Sequence, residues 1–229
     1  MNGIRLLIDT SKCIGCKACQ VACQQWHSLP AEDTAFTGSY QNPRDLSAAN
    51  LTVTKFAEYM GTKLNWFFFK DQCRHCDEPP CMEHCRLKAI VRQADGAVRI
   101  DPSKCFPDKC FSGQVKPCQA ECKYHAIPRY TYVMDGNPVK TKMRKCDFCY
   151  DRLNEPAWNA QSRKPACQLA CSTGAISFGD ANLIMEEARD RADYLKTHGF
   201  ASAKIYPGGE THVIWLLVDE KERYGHKRS

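Results

Sequence analysis

Sixteen cysteines stand in a chain of 229 residues, and they fall into four groups of four with none left over. Cys13, Cys16, Cys19 and Cys23 are spaced C-x2-C-x2-C-x3-C, and Cys73, Cys76, Cys81 and Cys85 are spaced C-x2-C-x4-C-x3-C. Cys105, Cys110, Cys118 and Cys122 form the third group, Cys146, Cys149, Cys167 and Cys171 the fourth, and every group ends in C-x3-C. A chain patterned this way folds around whatever its thiols share. Three solutions compete: disulfides, tetrahedral zinc and iron–sulfur cores. Disulfides need Cα atoms about 4.4–6.8 Å apart in pairs, and nothing in a run of four cysteines within eleven residues favours pairing over a shared metal.

Spacing separates the other two. A structural zinc site draws on two C-x2-C knuckles from separate segments, so a third cysteine at the same step would be idle. Group four alone, with C-x2-C-x17-C-x3-C, has the look of a zinc ribbon. The first group instead has the run used by two-cluster ferredoxins, in which three cysteines wrap one face of a core and the fourth reaches a second one. Iron–sulfur is therefore the expected chemistry. An internal repeat agrees with it: Ile8-Asp9-Thr10-Ser11-Lys12-Cys13 returns as Ile100-Asp101-Pro102-Ser103-Lys104-Cys105. Groups two and four share a C-x2-C, a proline (Pro80, Pro165) and a C-x3-C. Groups two, three and four leave through one exit, Cys85-x3-Ala89-Ile90, Cys122-x3-Ala126-Ile127 and Cys171-x3-Ala175-Ile176. The order is A-B-A-B.

The expected fold is α+β, with two ferredoxin-like two-cluster units, an N-terminal insertion and a C-terminal helix–strand extension. Residues 1–30 with 135–180 form the outer unit, 31–63 the insertion, 64–134 the inner unit and 181–229 the extension. Residues 4–8 and 98–100 read as strands, and 17–27 and 116–123 as short helices carrying a fourth cysteine. Asp135-Gly136 reads as a turn between strands at 130–134 and 138–142. Ala181–Lys196 reads as a surface helix and His212–Val218 as a closing strand. The apolar runs Trp66–Phe69 and Val213–Val218 are far short of the ~20 residues a membrane span needs. The start, Met1-Asn2-Gly3-Ile4-Arg5, does not read as an export signal. The formal charge of +6 suggests nucleic acid only until the cofactor is counted. A four-thiolate [4Fe-4S] core carries about −2, so four of them bring the chain itself to about −2. Lys12, Lys17, Lys104, Lys109, Lys123, Arg144 and Lys145, all near cysteines, then read as counter-charge rather than a nucleic-acid face.

Particular stretches resemble a known family, the iron–sulfur beta subunits of molybdenum- or tungsten-bis-pterin oxidoreductases. They are Cys19-Gln20-Val21-Ala22-Cys23-Gln24-Gln25-Trp26-His27, Gln41-Asn42-Pro43, Trp66 to Cys76, the Pro79-Pro80-Cys81 that follows, Lys145-Cys146-Asp147-Phe148-Cys149, and Cys171 to Asp180. Within that family the small subunits of formate dehydrogenases are the most similar, over roughly residues 4–180. The resemblance implies four [4Fe-4S] clusters with ligands crossed between groups. Cys13, Cys16, Cys19 and Cys171 hold the first, and Cys146, Cys149, Cys167 and Cys23 the second. Cys73, Cys76, Cys81 and Cys122 hold the third, and Cys105, Cys110, Cys118 and Cys85 the fourth. It also implies a non-catalytic electron relay beside a metal-pterin catalytic subunit, with a cytochrome or another redox carrier as outer partner. The compartment it implies is the periplasm, reached with the catalytic subunit, against a cytoplasmic alternative. The chain departs from the family in two respects. No proline follows a fourth cysteine, where Gln24, Arg86, Lys123 and Ser172 stand, and the third group is spread to C-x4-C-x7-C. Membrane-bound relatives carry a C-terminal membrane helix, and none is legible here, so a soluble complex is expected.

Other readings keep the chemistry narrow. His27, His75, His84 and His125 are expected as donors around the sites or as surface groups, since sixteen cysteines already match four clusters. Trp66–Phe69 is expected as a core strand, and Trp26 and Trp158 as packing residues or a partner contact. No nucleophile–base pair, phosphate loop or pterin-binding sequence is present, so the chain itself makes and breaks no bonds. Two competitors remain: the same relay serving a sulfur- or nitrogen-oxide reductase or a hydroxyl-transferring relative, and a colourless structural zinc protein acting as an interaction module.

Overall fold

The computed structural model describes residues 3–224 except 63, 128, 135, 136, 157, 160 and 161, with 129–134 and 137–141 described by their backbone alone. The strands are β1 (Ile4–Asp9), β2 (Thr52–Met60), β3 (Leu64–Gln72), β4 (Ile90–Arg92), β5 (Val98–Ile100), β6 (Arg129–Met134), β7 (Asn137–Met143), β8 (Ile176–Asp180), β9 (Lys204–Tyr206) and β10 (Val213–Leu217). The helices are α1 (Ala18–Trp26), α2 (Pro80–Glu83), α3 (Pro107–Cys110), α4 (Pro117–Ala120), α5 (Tyr150–Leu153), α6 (Ala166–Leu169) and α7 (Ala181–Thr197). The fold is α+β.

One sheet of order β8-β1-β10-β9 organises the molecule, with β10 parallel to β1 and the two outer strands antiparallel to their neighbours. Both of its faces are covered, so β1 and β10 read as continuous apolar runs rather than alternating ones. Leu7, Ile214 and Leu216 face α7 and meet Ile184, Met185, Ala188, Ala192 and Leu195. Asp180 caps that helix, its carboxylate accepting from the backbone N–H groups of Asn182 and Leu183. Leu6, Ile8, Val213, Trp215 and Leu217 face the other way, against Phe67, Phe69 and Tyr224. Trp215 stacks on Phe69 with ring centroids 4.7 Å apart. The segment after residue 180 therefore supplies an interior strand and one cover of this sheet.

The remaining strands form hairpins β2–β3, β4–β5 and β6–β7. The segment 31–63 supplies β2, which pairs with β3 from Thr52↔Gln72 to Met60↔Leu64. The turn expected at Asp135-Gly136 lies outside the described residues; the strands flanking it pair antiparallel. Two expectations need correction. The helix expected over 116–123 covers only Pro117–Ala120. Cys122 lies beyond it, its N–H turned back to the Gln119 carbonyl, and the cysteine on the helix is Cys118. Trp66–Phe69 is not wholly core either. Strand alternation buries Phe67 and Phe69, while Trp66 stays 39% exposed against Tyr40.

Candidate cofactor centres

The repeats in sequence become repeats in local structure. In Ile-Asp-x-Ser-Lys-Cys, the Asp9 carboxylate accepts from the Ser11 N–H and hydroxyl at 2.9 and 2.5 Å, and Asp101 does the same for Ser103 at 2.9 and 2.6 Å. The lysine N–H then closes back on the Asp carbonyl at 3.2 Å in both. Each Asx turn ends a strand and delivers the first cysteine of its group. Prolines start the short helices: Pro80, Pro107 and Pro117 occupy the first turn, where a missing N–H costs nothing, and set Cys81, Cys110 and Cys118 on them. The exits also match. The N–H of Lys88, His125 and Gly174 bonds to the carbonyl of Cys85, Cys122 and Cys171 at 2.9–3.1 Å, and all three residues are left-handed, with φ of 47°, 50° and 63°. That turn aims the N–H of Ala89 at Cys85 Sγ and of Ala126 at Cys122 Sγ, at 3.2 and 3.4 Å.

These devices converge on four cavities. One is lined by Cys13, Cys16, Cys19 and Cys171. A second is lined by Cys23, Cys146, Cys149 and Cys167, a third by Cys73, Cys76, Cys81 and Cys122, and a fourth by Cys85, Cys105, Cys110 and Cys118. Each cavity thus draws three cysteines from one sequence group and one from another. Helix α1 serves two of them, since Cys19 and Cys23 lie on one face a turn apart. The third cavity is the roomiest, about 430 Å³ against 30 Å³ or less for the rest.

The donor set fits a metal–sulfur core. None of the sixteen cysteines is in a disulfide. Burial, and then the neighbouring sulfurs, push Cys13 up to about 11 and Cys76, Cys81 and Cys118 up to about 12. Burial likewise carries Cys146 to about 12 against the pull of Lys70, and Cys149 higher still. Thiols raised in this way ionise side by side only against a bound cation, so loading a site releases protons. Further donors already point at sulfur: Met143 N–H at Cys105 (3.4 Å), His75 N–H at Cys73 (3.5 Å) and the Gln72 side-chain amide at Cys146 (3.7 Å).

Two buried lysines stand among the cysteines. Burial opposes the charge on Lys70, but Cys167, Cys19, Cys146 and Cys23 outweigh it and raise its pKa. Burial opposes Lys145 too, and Cys73, Cys146 and Cys81 outweigh it in turn. Lys145 was expected as counter-charge from its place beside Cys146. Lys70 was not, and its only signal was a lysine closing the apolar run Trp66–Phe69. Other lysines expected in that role are engaged elsewhere: Lys12 and Lys104 pair with Asp9 and Asp101 at 3.7 Å, and Lys17 binds the Asn42 carbonyl at 2.8 Å.

The four histidines divide. His84 and His125 are on the surface. His75 is fully buried, stacked on Phe148 at 3.8 Å with Nδ1 accepting from the Val98 N–H. His27 meets Asp147 at 3.0 Å and lies 3.9 Å from Cys23 Sγ; burial disfavours its charge, but the Asp147 carboxylate more than offsets that and raises its pKa. Trp26 and Trp158 pack on each other, 5.4 Å apart, with the Arg152 guanidinium against both rings.

Comparison with known proteins agrees with this geometry. Residues 64–181 match the model of a 4Fe-4S dicluster domain and residues 5–25 that of a 4Fe-4S binding domain. The iron-sulfur subunit of the nitrate-inducible formate dehydrogenase of Escherichia coli is 38% identical over 225 residues, covering 95% of this chain and 70% of that one. Formate dehydrogenase 2 subunit beta (cytochrome c-553) of Nitratidesulfovibrio vulgaris is 35% identical over 224 residues, 95% of this chain and 94% of that one. The chain belongs to the formate dehydrogenase iron–sulfur subunits. The formate dehydrogenase iron-sulfur subunit of Haemophilus influenzae, 38% identical over 229 residues, covers 96% of this chain and 67% of its own length. As a member of this family the chain carries iron–sulfur cofactors and relays electrons without catalysing bond chemistry itself. Among the described residues no helix is long and apolar enough to cross a membrane.

Proposed function

We propose that the chain holds four [4Fe-4S] clusters, one per cavity, and passes single electrons between the molybdenum- or tungsten-pterin catalytic subunit of a formate dehydrogenase and an outer redox carrier such as a cytochrome. The observation that carries this reading is the lining of four cavities by four cysteines each. In it Cys13, Cys16, Cys19 and Cys171 ligate one cluster and Cys23, Cys146, Cys149 and Cys167 the next, making the outer two-cluster unit. Cys73, Cys76, Cys81 and Cys122, and then Cys85, Cys105, Cys110 and Cys118, make the inner one. The crossed ligand belongs to the logic of the fold. A cysteine taken from the partner group ties two distant segments to one metal core, so filling the sites closes the chain on itself. The clusters supply one-electron storage at low nuclear rearrangement. The chain supplies spacing, burial, N–H donors to sulfur and fixed charge.

The test is anaerobic iron, sulfide and zinc content per chain, with EPR of the dithionite-reduced protein. About 16 iron and 16 sulfide are expected, with interacting [4Fe-4S] signals. About 12 iron would remove one cluster, and zinc without iron would overturn the relay.

A further inference from the structure

Strand β3 alternates. Phe67 and Phe69 turn to the sheet core, while Phe68, Lys70 and Gln72 turn to the cysteine loops. Lys70 is fixed from both sides of that strand. Its carbonyl accepts from Trp215 Nε1 at 3.1 Å, and its cross-strand partner Thr54 puts a hydroxyl 3.7 Å from Cys19 Sγ. Its ammonium reaches Gln72 Oε1, and the Gln72 amide nitrogen in turn reaches Cys146 Sγ at 3.7 Å. Among the described residues Lys70 alone lines both the cavity of Cys13, Cys16, Cys19 and Cys171 and that of Cys23, Cys146, Cys149 and Cys167.

A buried ammonium whose hydrogen-bond acceptor is a neutral amide needs negative charge nearby. The two cysteine quartets are that charge. We propose that Lys70 is a positioning residue for the relay, a fixed cation shared by the two outer sites that raises the reduction potentials of both their clusters together. The inference rests on the four-cluster reading above. In each relay step one electron leaves one cluster and enters the next, with no bond made or broken and the negative charge at the receiving site growing by one. A cation lining both sites stabilises the added electron at either, so it lifts both potentials. The junction of the third and fourth cavities is built differently, from the apolar Ala89, Ile90, Val98 and Ile127.

The experiment is an EPR-monitored potentiometric titration of the complex with its catalytic subunit, comparing the wild type with Lys70→Met, Lys70→Gln and Lys70→Arg. Iron is counted first: a wild type short of four clusters fails the reading beneath the proposal, not the proposal's electrostatics. Lys70→Met and Lys70→Gln are expected to lower two of the four midpoints by a tenfold change in the reduction equilibrium, about 59 mV for one electron. The other two stay within a fraction of that, and Lys70→Arg restores the shifted pair. Four unmoved midpoints, four equal shifts, or one cluster moving alone overturn the proposal. Loss of iron in both neutral variants also overturns it, by making Lys70 a residue needed to build the sites.

Discussion

Gly96 lies directly beneath the imidazole of His212, at φ +92°, and a Cβ added there would come within 2.1–2.5 Å of three ring atoms. His212 cannot withdraw, because Nε2 meets Asp77 at 2.9 Å and Nδ1 meets the Ile4 carbonyl at 2.5 Å. Gly96→Ala is therefore expected to cost about 2 kcal/mol or more, from left-handed strain and overpacking together, read as a lower thermal midpoint of the loaded protein. At the same scale, the crossed ligands give a test in which sequence neighbourhood and spatial neighbourhood disagree. Cys171 belongs by sequence with Cys146, Cys149 and Cys167 but lines the cavity of Cys13, Cys16 and Cys19. Cys171→Ser is expected to alter or remove the same EPR component as Cys16→Ser, and to leave the component affected by Cys149→Ser in place. If Cys171→Ser tracks Cys149→Ser instead, the crossed assignment is wrong.

The exit turn shows at the scale of elements why some of the site was legible and some was not. Its cysteine and Ala-Ile frame repeat three times, so the sequence shows that a common structure exists. The strain inside it is hidden, because the left-handed position holds Lys88, His125 and Gly174, three residues with no shared chemistry. Only glycine takes that conformation without a steric penalty of roughly 1–2 kcal/mol. Lys88→Gly is accordingly expected to stabilise the loaded protein by about 1 kcal/mol. Gly174→Ala, although it has open space around the new methyl, should lose about as much. Guanidinium unfolding under nitrogen, followed by loss of cluster absorbance, measures both. The Asx turns were readable for the opposite reason: their bonds are local and use the residue types the repeat displays. Lys70 was not, since its meaning depends on β3 passing between two sites whose cysteines lie at least forty-seven residues away on one side and seventy-six on the other.

At the scale of the whole molecule, two kinds of long-range tie hold the chain, and they answer to different tests. The first is metal. Stripping iron leaves sixteen free thiols, seven of them buried, with little to hold distant segments together. Anaerobic chelation is expected to abolish far-UV circular dichroism along with colour, in one transition. The second tie is the parallel pairing of β1 with β10, in the register Leu6↔Val213 to Asp9↔Leu216. The sequence announces both strands but not their pairing: with each face of the sheet covered, neither run alternates, and more than two hundred residues separate them. From the cysteines alone the chain after residue 180 looks dispensable, because every ligand precedes it. The sheet says otherwise. Val213 to Leu217 are each fully buried, and burying a side chain of this size contributes about 1.5–3 kcal/mol. Ending the chain there would also strip α7, one of the two covers, from β1, and the total is comparable with the 5–15 kcal/mol or so that separates a folded domain from its unfolded chain. A chain ended after Asp180, keeping all sixteen cysteines, is therefore expected to accumulate as insoluble, iron-free protein under anaerobic expression. Recovery of that piece as soluble brown material with its full iron content would show that the clusters alone organise the fold and that the sheet is secondary.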